Sequence, residues 1–124
     1  MRLPQALTVL VSFLLLSADV TADFKKGVSA YSAGKYDTAL RQWMPLAEQG
    51  NALAQLNLGM MYDKGYGVIQ DHVYAHMWFN IASANGLENA RKNRDIVAKK
   101  LTPNQMADAQ KLARECVKKN YTNC

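Results

Sequence analysis

The sequence holds only two cysteines, three prolines and two histidines among its 124 residues, and no histidine stands near a cysteine. That shortage excludes the paired Cys and His spacings of a structural zinc site, and it gives no Pro-rich segment to keep the chain open. Acidic residues are also few, ten against fifteen Lys and Arg, for a formal net charge of +5. Between Arg91 and Lys119 the imbalance is concentrated: Arg91, Lys92, Arg94, Lys99, Lys100, Lys111, Arg114, Lys118 and Lys119 face only Asp95, Asp108 and Glu115. A basic third of this kind can meet an anionic surface, but it lacks the interleaved aromatics on which nucleic-acid bases stack, so no nucleic-acid partner is expected. Beyond the N-terminus no apolar run approaches the roughly 20 residues of a membrane helix, so no membrane insertion of the remaining domain is expected.

What is present begins with an address. Arg2 precedes the uncharged apolar run Ala6 to Leu16, which has the length of a secretory core and is short for a span. Val20 and Ala22 suit a cleavage site before Asp23, with a cut after Ala18 or an uncleaved anchor as the alternatives. The expected organisation is a signal peptide over 1–22 and one domain over 23–124, periplasmic or secreted. No cysteine near the cut offers a lipid acceptor. In an oxidising compartment Cys116 and Cys124 are expected to form a disulfide that pins the C-terminal residues to the last helix.

Shifting the sequence by 36 aligns Ala39 with Ala75, Trp43 with Phe79, Gln49 with Asn85, Gly50 with Gly86 and Ala54 with Ala90. A period of this length belongs to arrays of helical hairpins. Apolar periodicity predicts helices near 24–33, 36–49, 52–63, 72–85, 87–100 and 103–119, with Gly34, Gly50 and Gly86 at helix ends. Asp71 is placed to cap the helix beginning at His72, Val68 to tuck inward, and Thr102-Pro103-Asn104-Gln105 to form a capping box. The last helix predicts a buried stripe of Met106, Ala109, Ala113, Cys116 and Val117 opposite Lys111, Arg114 and Lys118. The fold class is all-α: a solenoid of antiparallel helical hairpins, divided into a divergent hairpin over 23–50, the best repeat over 51–90 and a capping pair with tail over 91–124.

The set Ala54, Leu58, Gly59, Tyr62, Gly65, Gly67, Val68, Asp71, Ala75, Trp78, Ala82, Gly86 and Ala90, at its observed spacing, resembles a Sel-one-like repeat. Gly27, Gly34, Tyr36, Asp37, Ala39 and Trp43 before it look like a related tetratricopeptide unit or a divergent first repeat. The resemblance implies a right-handed α/α superhelix whose concave face binds other proteins. Carrying over the inner-face register implies Val28 and Tyr31 from one hairpin and Leu56, Met60, Asp63 and Lys64 from the next as the binding residues, with a protein or peptide as partner. Leu56 and Met60 can equally be core.

Three patterns offer chemistry and each is incomplete. Ser32-Ala33-Gly34-Lys35 has the S-x-x-K form of penicillin-recognising hydrolases but lacks their S-D-N and K-T-G elements. That leaves a cell-wall-active or β-lactam-type hydrolase as the enzymatic alternative, beside a basic module for anionic surfaces. His72 and His76 are spaced to share a metal, yet Val73 stands where a metalloprotease helix has Glu, and further ligands are missing. Asn120-Tyr121-Thr122 fits a glycosylation acceptor that a bacterial source would leave empty. No catalytic residue, metal or cofactor is expected.

Overall fold

The computed structural model describes residues 20–124, so all but the last three positions of the expected leader lie outside the described residues. Among the described residues there are helices and no strands. Helix α1 covers 20–32, followed by α2 (Tyr36–Glu48), α3 (Ala52–Lys64), α4 (His72–Ala84), α5 (Glu88–Ala98) and α6 (Pro103–Lys118). The starts of α3, α4 and α6 are set by side chains that satisfy otherwise unpaired helical N–H groups. Asn51 accepts from Ala54 N, Asp71 from Val73 N and Tyr74 N, and Thr102 with Gln105 forms the reciprocal capping box. Gly65 ends α3 at φ 71°, ψ 36°, a left-handed conformation that any Cβ would disfavour. Gly67 is needed twice over: its φ is +73°, and a Cβ there would stand 3.1 Å from the Tyr36 backbone.

The helices form a stacked array in which α3 packs between α2 and α4, and α4 carries α5 and α6 in addition. Close approach is repeated from one hairpin to the next. Gly27 of α1 lies against the indole of Trp43 in α2, and Gly59 of α3 lies against the ring of Phe79 in α4. Trp43 is capped further by Phe24, whose carbonyl accepts from Trp43 Nε1 at 3.2 Å. The largest buried cluster runs through Trp43, Leu46, Leu58, Met61, Met77 and Trp78, while Ala75, Phe79 and Val97 form a smaller one that Leu56 and Met60 flank. Val68 does turn inward onto the main cluster.

Two features of the array were not visible in the apolar pattern. Gln55 is fully buried; its Nε2 donates to Ala47 O at 3.0 Å and its Oε1 accepts from Asn85 Nδ2 at 2.9 Å. Asn85 in turn exchanges hydrogen bonds with Tyr121 Oη, so one polar chain ties the α2–α3 corner to the α4–α5 corner and to the tail. The last two helices also fail to pair as a tight hairpin: both pack on α4 and scarcely touch each other. Val117, expected on the buried stripe of α6 with Ala109, Ala113 and Cys116, is instead 49% exposed. It sits over a part of α4 that α5 does not cover.

Cys116 and Cys124 are joined by a disulfide with a Cα–Cα distance of 5.4 Å. The bridge closes a turn in which Asn120, Tyr121 and Asn123 all have positive φ, a conformation that costs a bulky residue such as Tyr more than Asn. The turn places the Tyr121 ring close to Gly50, where a Cβ would stand 3.4 Å from it.

Candidate functional site

An open apolar hollow of about 170 Å³ lies between the first two hairpins, lined by Val28, Tyr31, Trp43, Asn57 and Met60. Its positions follow from helical spacing: Val28 and Tyr31 are three apart on α1, and Asn57 and Met60 are three apart on α3. Trp43 of α2 closes the floor, with its ring 5.7 Å from Tyr31. Val28 is 43% exposed, a large apolar side chain left uncovered at the mouth. Asn57 is the polar group of the site. Its amide offers a donor and an acceptor and bonds to no other described residue, so it can meet a main-chain amide.

Aromatic rings continue from this hollow toward the α3–α4 loop. Tyr31 meets Tyr36 edge-on at 5.3 Å, and Tyr36 stacks on Tyr66 at 4.4 Å. These contacts brace Tyr31 from the side, and a braced side chain loses less entropy when something binds.

Of the six residues carried over to the inner face, the structure gathers Val28, Tyr31 and Met60 at the hollow. Leu56 packs against the Ala75–Phe79–Val97 cluster and serves the core. Asp63 is engaged elsewhere: its carboxylate accepts from Lys100 Nζ at 3.1 Å, and His72 Nδ1 stands 3.1 Å from the same oxygen without hydrogen-bond alignment. It joins α3, α4 and the end of α5. Lys64 lies over the Tyr66 ring, 5.7 Å from its centroid. Trp43 and Asn57 were missed as lining residues. The alignment of Trp43 with Phe79 marked it as packing, and Asn57, three before Met60 on an apolar helix, was the one signal available for the other.

The candidate chemical patterns separate in space. Ser32 is exposed at the end of α1, and Gly34, at φ 75°, turns the chain before Lys35; no hydrogen bond links Ser32 to Lys35. His72 turns toward Asp63, whereas His76 is buried and lines a different cleft with Asn80, Arg94, Asp95 and Gln110. Burial, and after it the Arg94 charge, holds the His76 imidazole below the usual histidine range. No group of three His, Cys, Asp or Glu side chains among the described residues is arranged to hold a metal. No helix among them is long and apolar enough to cross a membrane.

Comparison with known proteins places this geometry. No curated protein matches the chain. A crystal structure of a protective antigen of uropathogenic Escherichia coli, displaying an SLR fold, superposes with a TM-score of 0.73 at 33% identity over 82% of this chain. The chain spans 24% of that longer antigen. Residues 52–87, which hold α3, the Gly65–Asp71 loop and α4, match the Sel1 repeat. The chain therefore carries a Sel1 repeat at its centre, in a helical array similar to that SLR fold.

Proposed function

We propose that the chain is an exported protein-interaction module that holds a protein or peptide segment in the hollow between its first two hairpins. The observation that carries the reading is the pairing of exposed apolar surface at Val28 with a braced aromatic wall and one unengaged amide, Asn57. Such a site takes an apolar side chain in the hollow and a main-chain amide on Asn57. Sel1 and SLR arrays generally serve protein interaction, and the absence of a nucleophile–base pair at Ser32 gives the hydrolase alternative no support. Export is supported by the apolar run after Arg2 and by the Cys116–Cys124 disulfide, a bond that persists in oxidising compartments.

The test is site-specific photo-crosslinking from position 28, followed by mapping of the crosslinked peptide in the partner. Tyr31→Ala with Met60→Ala should abolish the crosslink while helical content is unchanged, and Ser32→Ala should leave it intact. A hydrolytic activity that Ser32→Ala removes from the folded protein would sink the proposal.

A further inference from the structure

A second valley lies on the other flank of the molecule, where α6 rests on α4. At one end α5 closes over it, bringing Arg94 and Asp95 beside His76 and Gln110. Asn80 is common to both ends. Past Asn80 the valley opens into a hollow of about 330 Å³ with Ile81, Ala84, Ala113 and Val117 as its apolar surface and Arg114 and Lys118 along its rim. Neither Arg114 nor Lys118 is paired with a carboxylate among the described residues. The acidic residues of α6 are on the opposite flank, where Asp108 and Glu115 share a cleft with Asp71 and Lys111. On that flank Lys111 is paired with Glu115, so the cations of α6 left without a carboxylate are Arg114 and Lys118, beside the apolar opening.

We propose that this valley docks an acidic amphipathic helix of a partner protein, which takes a place against α4 and α6 that α5 leaves uncovered. The walls are two helices, and the groove between helices accepts the ridge of a third. An extended segment fits worse, because its main-chain N–H groups would face Ile81, Ala84, Ala113 and Val117, and the side-chain acceptor there, Asn80 Oδ1, already takes a hydrogen bond from Arg94 Nη1 at 3.1 Å. Small or branched apolar residues at i, i+4 would enter beside Val117, and Glu or Asp flanking them would meet Arg114 and Lys118. A second copy of the chain is disfavoured. Both copies carry a net charge of +5, and a two-fold contact through this valley would set the two basic rims together. The site lies on α4 and α6, apart from the α1–α3 hollow, and does not depend on that hollow binding anything.

The experiment is an amide-resolved NMR titration of the full chain with a helical probe peptide of roughly four turns, bearing an Ala/Leu stripe flanked by Glu. A twin peptide carries Lys in place of Glu. The Glu probe should shift Ala84, Ala113 and Val117 and bind at least about tenfold more tightly than the Lys twin. Arg114→Glu with Lys118→Glu, both at exposed positions, should reverse that preference without changing the circular dichroism. Val117→Lys should weaken the Glu probe by a similar factor. Equal affinity for the two peptides, or shifts confined to Val28, Tyr31 and Met60, would overturn the proposal. So would a concentration-dependent dimer that buries Val117 without peptide, or anionic vesicles that shift these amides where the Glu probe does not.

Discussion

Gly59 of α3 stands against the ring of Phe79 in α4 so closely that a Cβ on the glycine would be 2.5 Å from the ring carbons. The contact is between rigid groups, an aromatic that is 1% exposed and a helix backbone, so neither can yield without moving a helix. Gly59→Leu is expected to destabilise by roughly 1–3 kcal/mol or more through overpacking. Thermal unfolding measures it, and an unchanged midpoint would mean that α3 and α4 are not in this register.

The buried amide of Gln55 carries the second expectation. Gln55→Leu preserves much of the volume but removes the bonds to Ala47 O, which keeps Gly50 N, and to Asn85 Nδ2, which keeps Tyr121 Oη. The net loss of an intramolecular hydrogen bond costs about 0.5–1.5 kcal/mol. Urea denaturation should show it, and Asn85→Ala in the Gln55→Leu background should cost less than Asn85→Ala alone, because the two share one bond.

How much of this was legible differs by element. Helix ends were readable because their signals are local: Thr102 with Gln105, Asp71 before His72, and Gly50 after Gln49 each act within one turn. The 36-residue shift found Trp43 and Phe79 as equivalents. It did not find that each is faced by a glycine, because Gly27 and Gly59 are not 36 apart. The extra length of the Gly65–Asp71 loop separates the two halves of the comparison. Asp63 was read as a charged residue of the inner face, and nothing marked it as the partner of Lys100, which is 37 residues away and meets it only once α5 has packed. Val117 was assigned to the core because periodicity reports which residues share a face. It cannot report whether a neighbouring helix covers that face along its whole length.

The disulfide should be visible in both mass and stability. Intact-mass measurement should find no free thiol before reduction and two after it. Cross-linking a loop this short stabilises by roughly 2–3 kcal/mol in the chain-entropy account. Cys116→Ser with Cys124→Ser is expected to lose about that much, and Tyr121 should lose its contacts with Gly50 and Asn85 first, seen as faster amide exchange in the tail than in α4.

Acid should weaken the fold through His76. Its folded pKa is lowered from 6.5 by burial first and by Arg94 second, with Asp95 opposing; α6 brings only Met106 and Gln110 to the same cleft. The unfolded chain thus binds a proton that the folded chain refuses. Stability is held above the unfolded pKa, begins to fall as pH drops below about 6.5, and stops falling once pH is below the folded value. The slope in that window is at most about 1.4 kcal/mol per pH unit. His76→Gln should flatten it, read from urea midpoints at successive pH values; a slope that survives the substitution would assign the proton elsewhere.

The start of the domain can be located by what Trp43 requires. The indole is 3% exposed, and it is covered by Gly27, by the Phe24 ring at a centroid distance of 6.0 Å and by the hydrogen bond to the Phe24 carbonyl. A chain beginning at Asp23, the expected cleavage point, keeps all three and, among the described residues, gives up the partial packing of Val20 and the interaction of Thr21. It should unfold cooperatively, with a midpoint close to that of the full chain. A chain beginning at Val28 loses all three covers. Exposing the indole then costs at least about 1.5–3 kcal/mol of apolar burial, and the emission of Trp43 should move to longer wavelength while Trp78, buried in α4, does not follow. If the chain from Asp23 already shows that red shift, the residues before the cut belong to the folded unit, and the domain boundary must be moved toward the N-terminus.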